Sequence, residues 1–358
     1  MLRRLGRYTA GVLVASAIFL LTGELVARAL DIVDRLNGYS RLLYTRGPSV
    51  DLPYLLRPGF EATLFSVPVR VNRLGFRGPE VDVKPRPGVF RILMLGDSVL
   101  FGTVLEEGER LSEVAAAELN GVRPDHYEVI NAGVPGFDTL AEARLLARVG
   151  IQLEPQAVVV MLSLNDYEMP LRMNPIGIQS RGDPRQAPSG LLDHSEFVLL
   201  LRWMVAFHEG TLWHQFNRRA EQGIATGDDG QNLQRMAGGL DRLVEKRHLA
   251  FYHAPDAATW GRLFGALREV RDLTAGRGIR MLVAILPEGY QVGTPDPDLT
   301  PQRMLMATCG AEAMSCLDLQ PAFAAAGGRL FFDVQHPNAR GHAIIGRALA
   351  AVLSSAPG

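Results

Sequence analysis

The chain is poor in several things, and each scarcity excludes something. It has two cysteines in 358 residues, Cys309 and Cys316, so no disulfide framework can stand in for a hydrophobic core. No uncharged apolar run reaches the roughly 20 residues that span a bilayer; the longest near the N-terminus, Thr9 to Gly23, is about 15. Charge of either sign is not in excess: the formal net charge is -1, which gives no bulk attraction for nucleic acid or for an acidic partner. No Gly-Lys-[Ser/Thr] follows Gly96, so there is no phosphate loop. No His, Cys and Glu cluster has ligand spacing, and no metal or other cofactor is expected. No internal repeat is found. What is abundant is apolar surface, 47% hydrophobic residues against 21% charged, enough for one large domain or two small ones.

The most informative stretch is Phe90-Arg-Ile-Leu-Met-Leu-Gly-Asp-Ser-Val-Leu-Phe-Gly102. Phe90 to Leu95 reads as a buried strand of a parallel sheet. Gly96-Asp97-Ser98 breaks it, placing a carboxylate and a hydroxyl where open α/β sheets bind their ligands. Ser98 is therefore a candidate nucleophile, and it needs a base and an acid that orients the base. Phe332-Asp333-Val-Gln-His336-Pro-Asn338 supplies both on one loop, with Asp333 three residues before His336. His342 is the competing base; it lacks a carboxylate at that spacing and is read as structural. A Gly-x-Ser-x-Gly elbow is excluded because position 100 is Leu.

The remainder alternates strand and helix. Helices are expected over 111–119, 139–149, 257–275 and 341–353, and strands over 127–132, 157–164, 279–286 and 315–319. That alternation predicts a three-layer α/β/α sandwich around a central parallel sheet, with Ser98, Gly133, Asn165 and His336 after strands. Domain organisation is expected as an N-terminal segment 1–36, a proline-punctuated connector with a short β element at 37–89, and a main domain at 90–355 interrupted by an insertion at about 167–256. Val67 to Gly78 is read as a hairpin or edge segment. Within the insertion, the apolar stretch Glu196 to Phe216 reads as core packing, a lid or a membrane-surface helix.

Arg3, Arg4 and Arg7 precede the uncharged run, and Glu24 and Arg28 follow it. The favoured reading is an uncleaved signal anchor, with Glu24 and Arg28 snorkelling so that a membrane-spanning helix extends through Leu30. The alternative is a cleaved signal peptide with Ala27-Arg28-Ala29 as its site. For the cysteines, two buried free thiols are favoured over a single bridge, which export would permit.

Four blocks now stand in order: Gly96-Asp97-Ser98, Asn131-Ala132-Gly133, Leu164-Asn165-Asp166 and Asp333-x-x-His336. Together they resemble the SGNH (GDSL-type) hydrolases, of the bacterial membrane-anchored type, over roughly residues 70 to 355. Ser163 departs from the pattern, standing where that family usually has glycine. The resemblance implies a flavodoxin-like SGNH hydrolase fold, a Ser98–His336–Asp333 triad, and an oxyanion hole formed by the Ser98 and Gly133 N–H groups and the Asn165 amide. It also implies an esterase or deacetylase whose substrate is an acyl ester of carbohydrate or lipid, acting outside the cytoplasm at a membrane. An O-acyltransferase using the same triad, and a non-catalytic envelope polysaccharide assembly protein, are the alternatives. Asn72 to Gly78 resembles a lead-in common in bacterial members, and its residues suggest no chemistry of their own.

Overall fold

The computed structural model describes residues 2–29, 43–49, 51–64, 67–167, 195, 197, 242 and 244–355. The chain divides into two compact units, Met1–Leu43 with Asn174–Gln215, and Tyr44–Met173 with Phe216–Gly358. The apolar stretch at 196–216 lies, except for Phe197, outside the described residues.

In the first unit, α1 runs Leu2–Ala29. The expectation of a membrane-spanning helix is corrected: no helix among the described residues is long and apolar enough to cross a membrane. The cause is visible at Glu24 and Arg28. They pair with each other, Arg28 Nε donating to Glu24 Oε1 at 2.7 Å. Glu24 also accepts from Ser195 Oγ at 2.8 Å and from the Phe197 N–H at 3.0 Å. Two charges thus follow the apolar run in the last two turns of α1.

The second unit is built on five parallel strands: β5 (Phe90–Gly96), β6 (Tyr127–Gly133), β7 (Ala157–Leu162), β8 (Arg280–Ile285) and β9 (Cys316–Asp318). Before them come two separate antiparallel ribbons, β1 (Tyr44–Ser49) with β2 (Leu52–Leu56) and β3 (Glu61–Leu64) with β4 (Val67–Arg70). Of the segment read as a hairpin or edge at 67–78, Val67–Arg70 forms a hairpin with Glu61–Leu64, and Arg77 makes an isolated antiparallel bridge to Asn131 of the edge strand β6. The helices of the second unit are α2 (Ser98–Phe101), α3 (Leu111–Val122), α4 (Thr139–Arg148), α5 (Ala257–Ala275), α6 (Thr300–Ala311), α7 (Gln320–Ala326) and α8 (Ala339–Ser354).

The sheet order is β6-β5-β7-β8-β9, the flavodoxin-like doubly wound order. β7, in the middle, reads AVVVML and is buried throughout, as a strand covered on both faces must be. Alternate residues feed opposite faces. Ile92, Met94, Val159, Met161, Leu282 and Ala284 join Leu111, Ala115 and Leu119 of α3 and Ile345, Leu349 and Leu353 of α8 in one core. Leu93, Leu95, Val158, Val160 and Val283, all buried, face the other way, where α4 and α5 pack. Each such side chain contributes about 1.5–3 kcal/mol over leaving it exposed. The result is the expected three layers, with every strand's carboxyl end at one edge.

The cysteine reading is also corrected. Cys309 and Cys316 form a disulfide, with Cα atoms 6.3 Å apart. The turn between α6 and β9 folds the chain back so that residues seven apart face each other within bridging reach.

Candidate active site

Strand order places the site. The doubly wound sheet reverses direction between β5 and β7, and a crevice opens there beyond the strand ends. Ser98 follows β5 and Asn165 follows β7. Ser98 is the first residue of α2, a single helical turn. Asp97 caps it, accepting the Val99 N–H at 2.8 Å, so the serine is presented at a helix N-terminus. No hydrogen bond among the described residues engages the Ser98 N–H.

The base arrives from the other end of the chain. Phe332 N–H donates to the His336 carbonyl at 2.8 Å, and Phe331 bridges Pro337, so the 331–337 loop closes on itself. Inside it the Asp333 carboxylate accepts the backbone N–H groups of Gln335 (2.8 Å) and His336 (2.7 Å). It also faces His336 Nδ1, at 2.8 Å from Oδ2. That fixes the tautomer: Nδ1–H donates to Asp333, and Nε2 is left to accept from the Ser98 hydroxyl, 2.9 Å away. The loop is braced by the Gly289 N–H, which donates to the Val334 carbonyl at 2.6 Å.

Electrostatics follow from that pairing. Burial alone would lower the His336 pKa, but the Asp333 carboxylate beside it outweighs burial and lifts it from 6.5 to about 9. For Asp333 burial pushes upward, and the His336 imidazolium and the two N–H groups prevail, holding it below the ordinary carboxylate range. Both side chains stay about one-third open to solvent, 34% and 33%, which screens the pair.

The oxyanion side differs from the sequence reading at Gly133. Its N–H donates to Asn131 Oδ1 at 3.0 Å and is already engaged. Glycine is required there for another reason: a Cβ would lie 2.4 Å from the Phe101 backbone nitrogen. The same loop holds Gly136, which the sequence reading did not name. Phe137 N–H bonds back to Val134 O at 3.1 Å across Pro135-Gly136, with Gly136 at φ 80°. This is a turn with proline second and a left-handed glycine third, and no hydrogen bond among the described residues takes the Gly136 N–H. The signal was present in the Pro-Gly pair. The Asn165 side chain is half-buried and carries no hydrogen bond among the described residues. Ser163, at the family's glycine position, has negative φ, so the serine strains nothing. Its N–H donates to Asp166 Oδ2 at 3.2 Å, and its carbonyl accepts the Asp166 N–H. His342 lies apart, buried, its Nδ1 accepting the Leu111 N–H at 3.0 Å. Burial drives its pKa down to about 3.

Asp97 and Asp166 belong to a group of buried acids with Asp138 and Glu142, and the last two were not singled out in sequence. Glu142 on α4 is fully buried, and neither oxygen has a hydrogen-bond partner. Burial, then Asp97 and Asp138, push its pKa far above the carboxylate range. Asp166 is raised by burial, then by Glu142 and Asp97. Burial in both cases disfavours the charged carboxylate. Among the described residues no group of His, Cys, Asp and Glu could hold a metal.

A hydroxyl, an imidazole and a carboxylate thus stand in one hydrogen-bonded line at the carboxyl edge of a doubly wound sheet, and the class is that of the ester-cleaving hydrolases. The chain belongs to the GDSL-like lipase/acylhydrolase family, whose model matches residues 94–344. Comparison with curated proteins finds no match. Solved structures similar in fold include an acetyl xylan esterase, AlAXEase, at 14% identity, covering 74% of this chain and 100% of that one with a TM-score of 0.40. A putative arylesterase from Agrobacterium tumefaciens str. C58 is 16% identical, covering 74% of this chain and 98% of that one, with a TM-score of 0.36. A putative lipolytic protein of the G-D-S-L family from Desulfitobacterium hafniense DCB-2 is 11% identical, over 73% and 98%, with a TM-score of 0.38. Likeness at this level says nothing of substrate.

Proposed function

We propose that the protein is a serine esterase that removes O-acyl groups from a carbohydrate or lipid outside the cytoplasm. The observation that carries this reading is the continuous line Ser98 Oγ, His336 Nε2, His336 Nδ1, Asp333. Ser98 Oγ attacks the acyl carbon as its proton passes to His336 Nε2, while Asp333 stabilises the imidazolium. The oxyanion is met by the Ser98 N–H, the Asn165 amide and the Gly136 N–H. His336 returns the proton to the leaving alcohol, and the acyl group stays on Ser98. Water, deprotonated by His336, then releases the acid and restores the serine.

Location outside the cytoplasm is supported by the Cys309–Cys316 disulfide, a bond that persists in oxidising compartments. It is supported also by Arg3, Arg4 and Arg7 before the apolar run. On α1, Val14, Ile18, Leu21 and Leu25 recur at helical spacing and are each more than half exposed, a face suited to a membrane surface.

The test is a panel of acyl esters of graded chain length, with acetylated sugars and lipid esters, assayed for released acid with and without an acceptor alcohol. Acid release that needs no acceptor supports an esterase. Acyl transfer to the acceptor without net acid release would make the protein an acyltransferase instead.

A further inference from the structure

The Asn72–Gly78 lead-in has a task that its sequence did not reveal. Asn72 builds the loop: its Oδ1 accepts the N–H groups of Leu74 (3.0 Å) and Phe76 (3.1 Å), and its Nδ2 donates to Pro79 O at 2.9 Å. The backbone closes it from Asn72 N–H to Phe76 O at 2.8 Å. Phe76 is buried, and Arg77 bridges Asn131 of β6 in antiparallel fashion. The loop thereby drives the Arg77 side chain, 2% exposed, against the far end of α2.

There the guanidinium meets the Phe101 carbonyl at the helix end, the Gly102 carbonyl, which also accepts the Leu105 N–H at 3.1 Å, and the Leu105 carbonyl. Arg77 Nη1 donates to Phe101 O at 2.5 Å and Gly102 O at 2.6 Å, and Nη2 donates to Leu105 O at 3.3 Å. Its carbon lies 4.3 Å over the Phe101 ring. Asn131 Nδ2 takes the preceding carbonyl, Leu100 O, at 2.7 Å. The turn that carries Ser98 is therefore held at both ends, by the Asp97 cap and by Arg77 with Asn131. A one-turn helix has almost no stability of its own, so these clamps fix where Ser98 Oγ stands.

We propose that Arg77 is a positioning residue for catalysis, delivered by the Asn72–Gly78 loop to hold the carboxyl end of α2 and so aim Ser98 at His336. The proposal rests on Ser98 being the nucleophile. A displacement of the nucleophile by about 1 Å costs on the order of 10² in rate, and it costs kcat, because substrate binding does not depend on the attack geometry. A lysine presents one point charge and cannot fork across the three carbonyls.

The experiment compares Arg77→Met, Arg77→Lys and Arg91→Met in the full chain. It reads kcat, KM, fluorophosphonate labelling rate and Tm, with Ser98→Ala alongside. Arg91 is a matched control: it is also buried and donates to carbonyls of Asp82, Val83 and Leu153, but at the opposite end of β5. Arg77→Met is expected to lower kcat and labelling by about 10²-fold with KM within about twofold. Arg77→Lys should fall between it and wild type. Arg91→Met should lower Tm and keep kcat. Wild-type kcat in Arg77→Met overturns the proposal, as does an equal kcat loss in Arg91→Met. If Arg77→Met does not fold, Arg77→Lys decides, and wild-type kcat there overturns it. Hydrolysis by Ser98→Ala would instead show that the nucleophile is misassigned.

Discussion

Ser98 Oγ and His336 Nε2 lie 2.9 Å apart although 238 residues separate them in sequence. The sheet brings them together: Ser98 starts the helical turn just after β5, and His336 lies on the loop that leads into α8. Both face the same carboxyl edge, so their meeting depends on strand order and not on any local motif.

That contact sets a pH dependence. His336 acts as base only when neutral, and Asp333 raises its pKa from 6.5 to about 9. The kcat/KM profile should climb with a midpoint between these values. Asp333→Asn should move the midpoint down and lower kcat by about 10⁴-fold. The same shift gives a stability term with a definite sign. It is fully present below pH 6.5 and lost as pH rises through about 9. Initial rates and Tm measured across pH for both proteins check it.

How much of this was legible in sequence divides along physical lines. Continuous apolar runs such as Ala157–Leu162 announced buried parallel strands, and α5 falls on its expected residues. Helices α6 and α7 were not anticipated, because Thr300–Ala311 carries Pro and Gly and no clear apolar stripe. Contacts that cross the sheet were invisible. Asn131 takes the Gly133 N–H. Arg77 binds carbonyls 24 to 28 residues away, so its motif looked inert. The disulfide depended on a turn between α6 and β9.

Asn165 tests the oxyanion side apart from the triad. Its amide has no partner among the described residues and gains one only as charge develops on the acyl oxygen. Asn165→Ala should lower kcat by about 10² to 10³-fold, with a smaller change in KM and little change in Tm. Steady-state kinetics and a thermal melt on the same preparation separate this from a turn-forming role, which would lower Tm and spare kcat.

Glu142 tests the buried acids. Burial, then Asp97 and Asp138, raise its folded pKa well above the ordinary 4.5. A raised folded pKa stabilises at low pH, and that contribution is lost as pH rises above the unfolded value. Glu142→Gln removes the ionisation and should melt higher than wild type at about pH 8, with no gain at about pH 4. Each 1 kcal/mol corresponds to roughly 2–4 °C in a domain of this size. Equal Tm differences at the two pH values would contradict a raised pKa for Glu142.

The central claim is that Ser98 is the nucleophile, and covalent labelling tests it most directly. Wild-type protein incubated with a fluorophosphonate should gain one adduct by intact mass, mapped to the peptide holding Ser98, and lose ester hydrolysis in parallel. Ser98→Ala should fold, take no label and keep only a residual rate, several orders of magnitude below wild type. A Ser98→Ala protein that hydrolyses esters at a near-native rate, or an adduct on a different residue, would contradict the account.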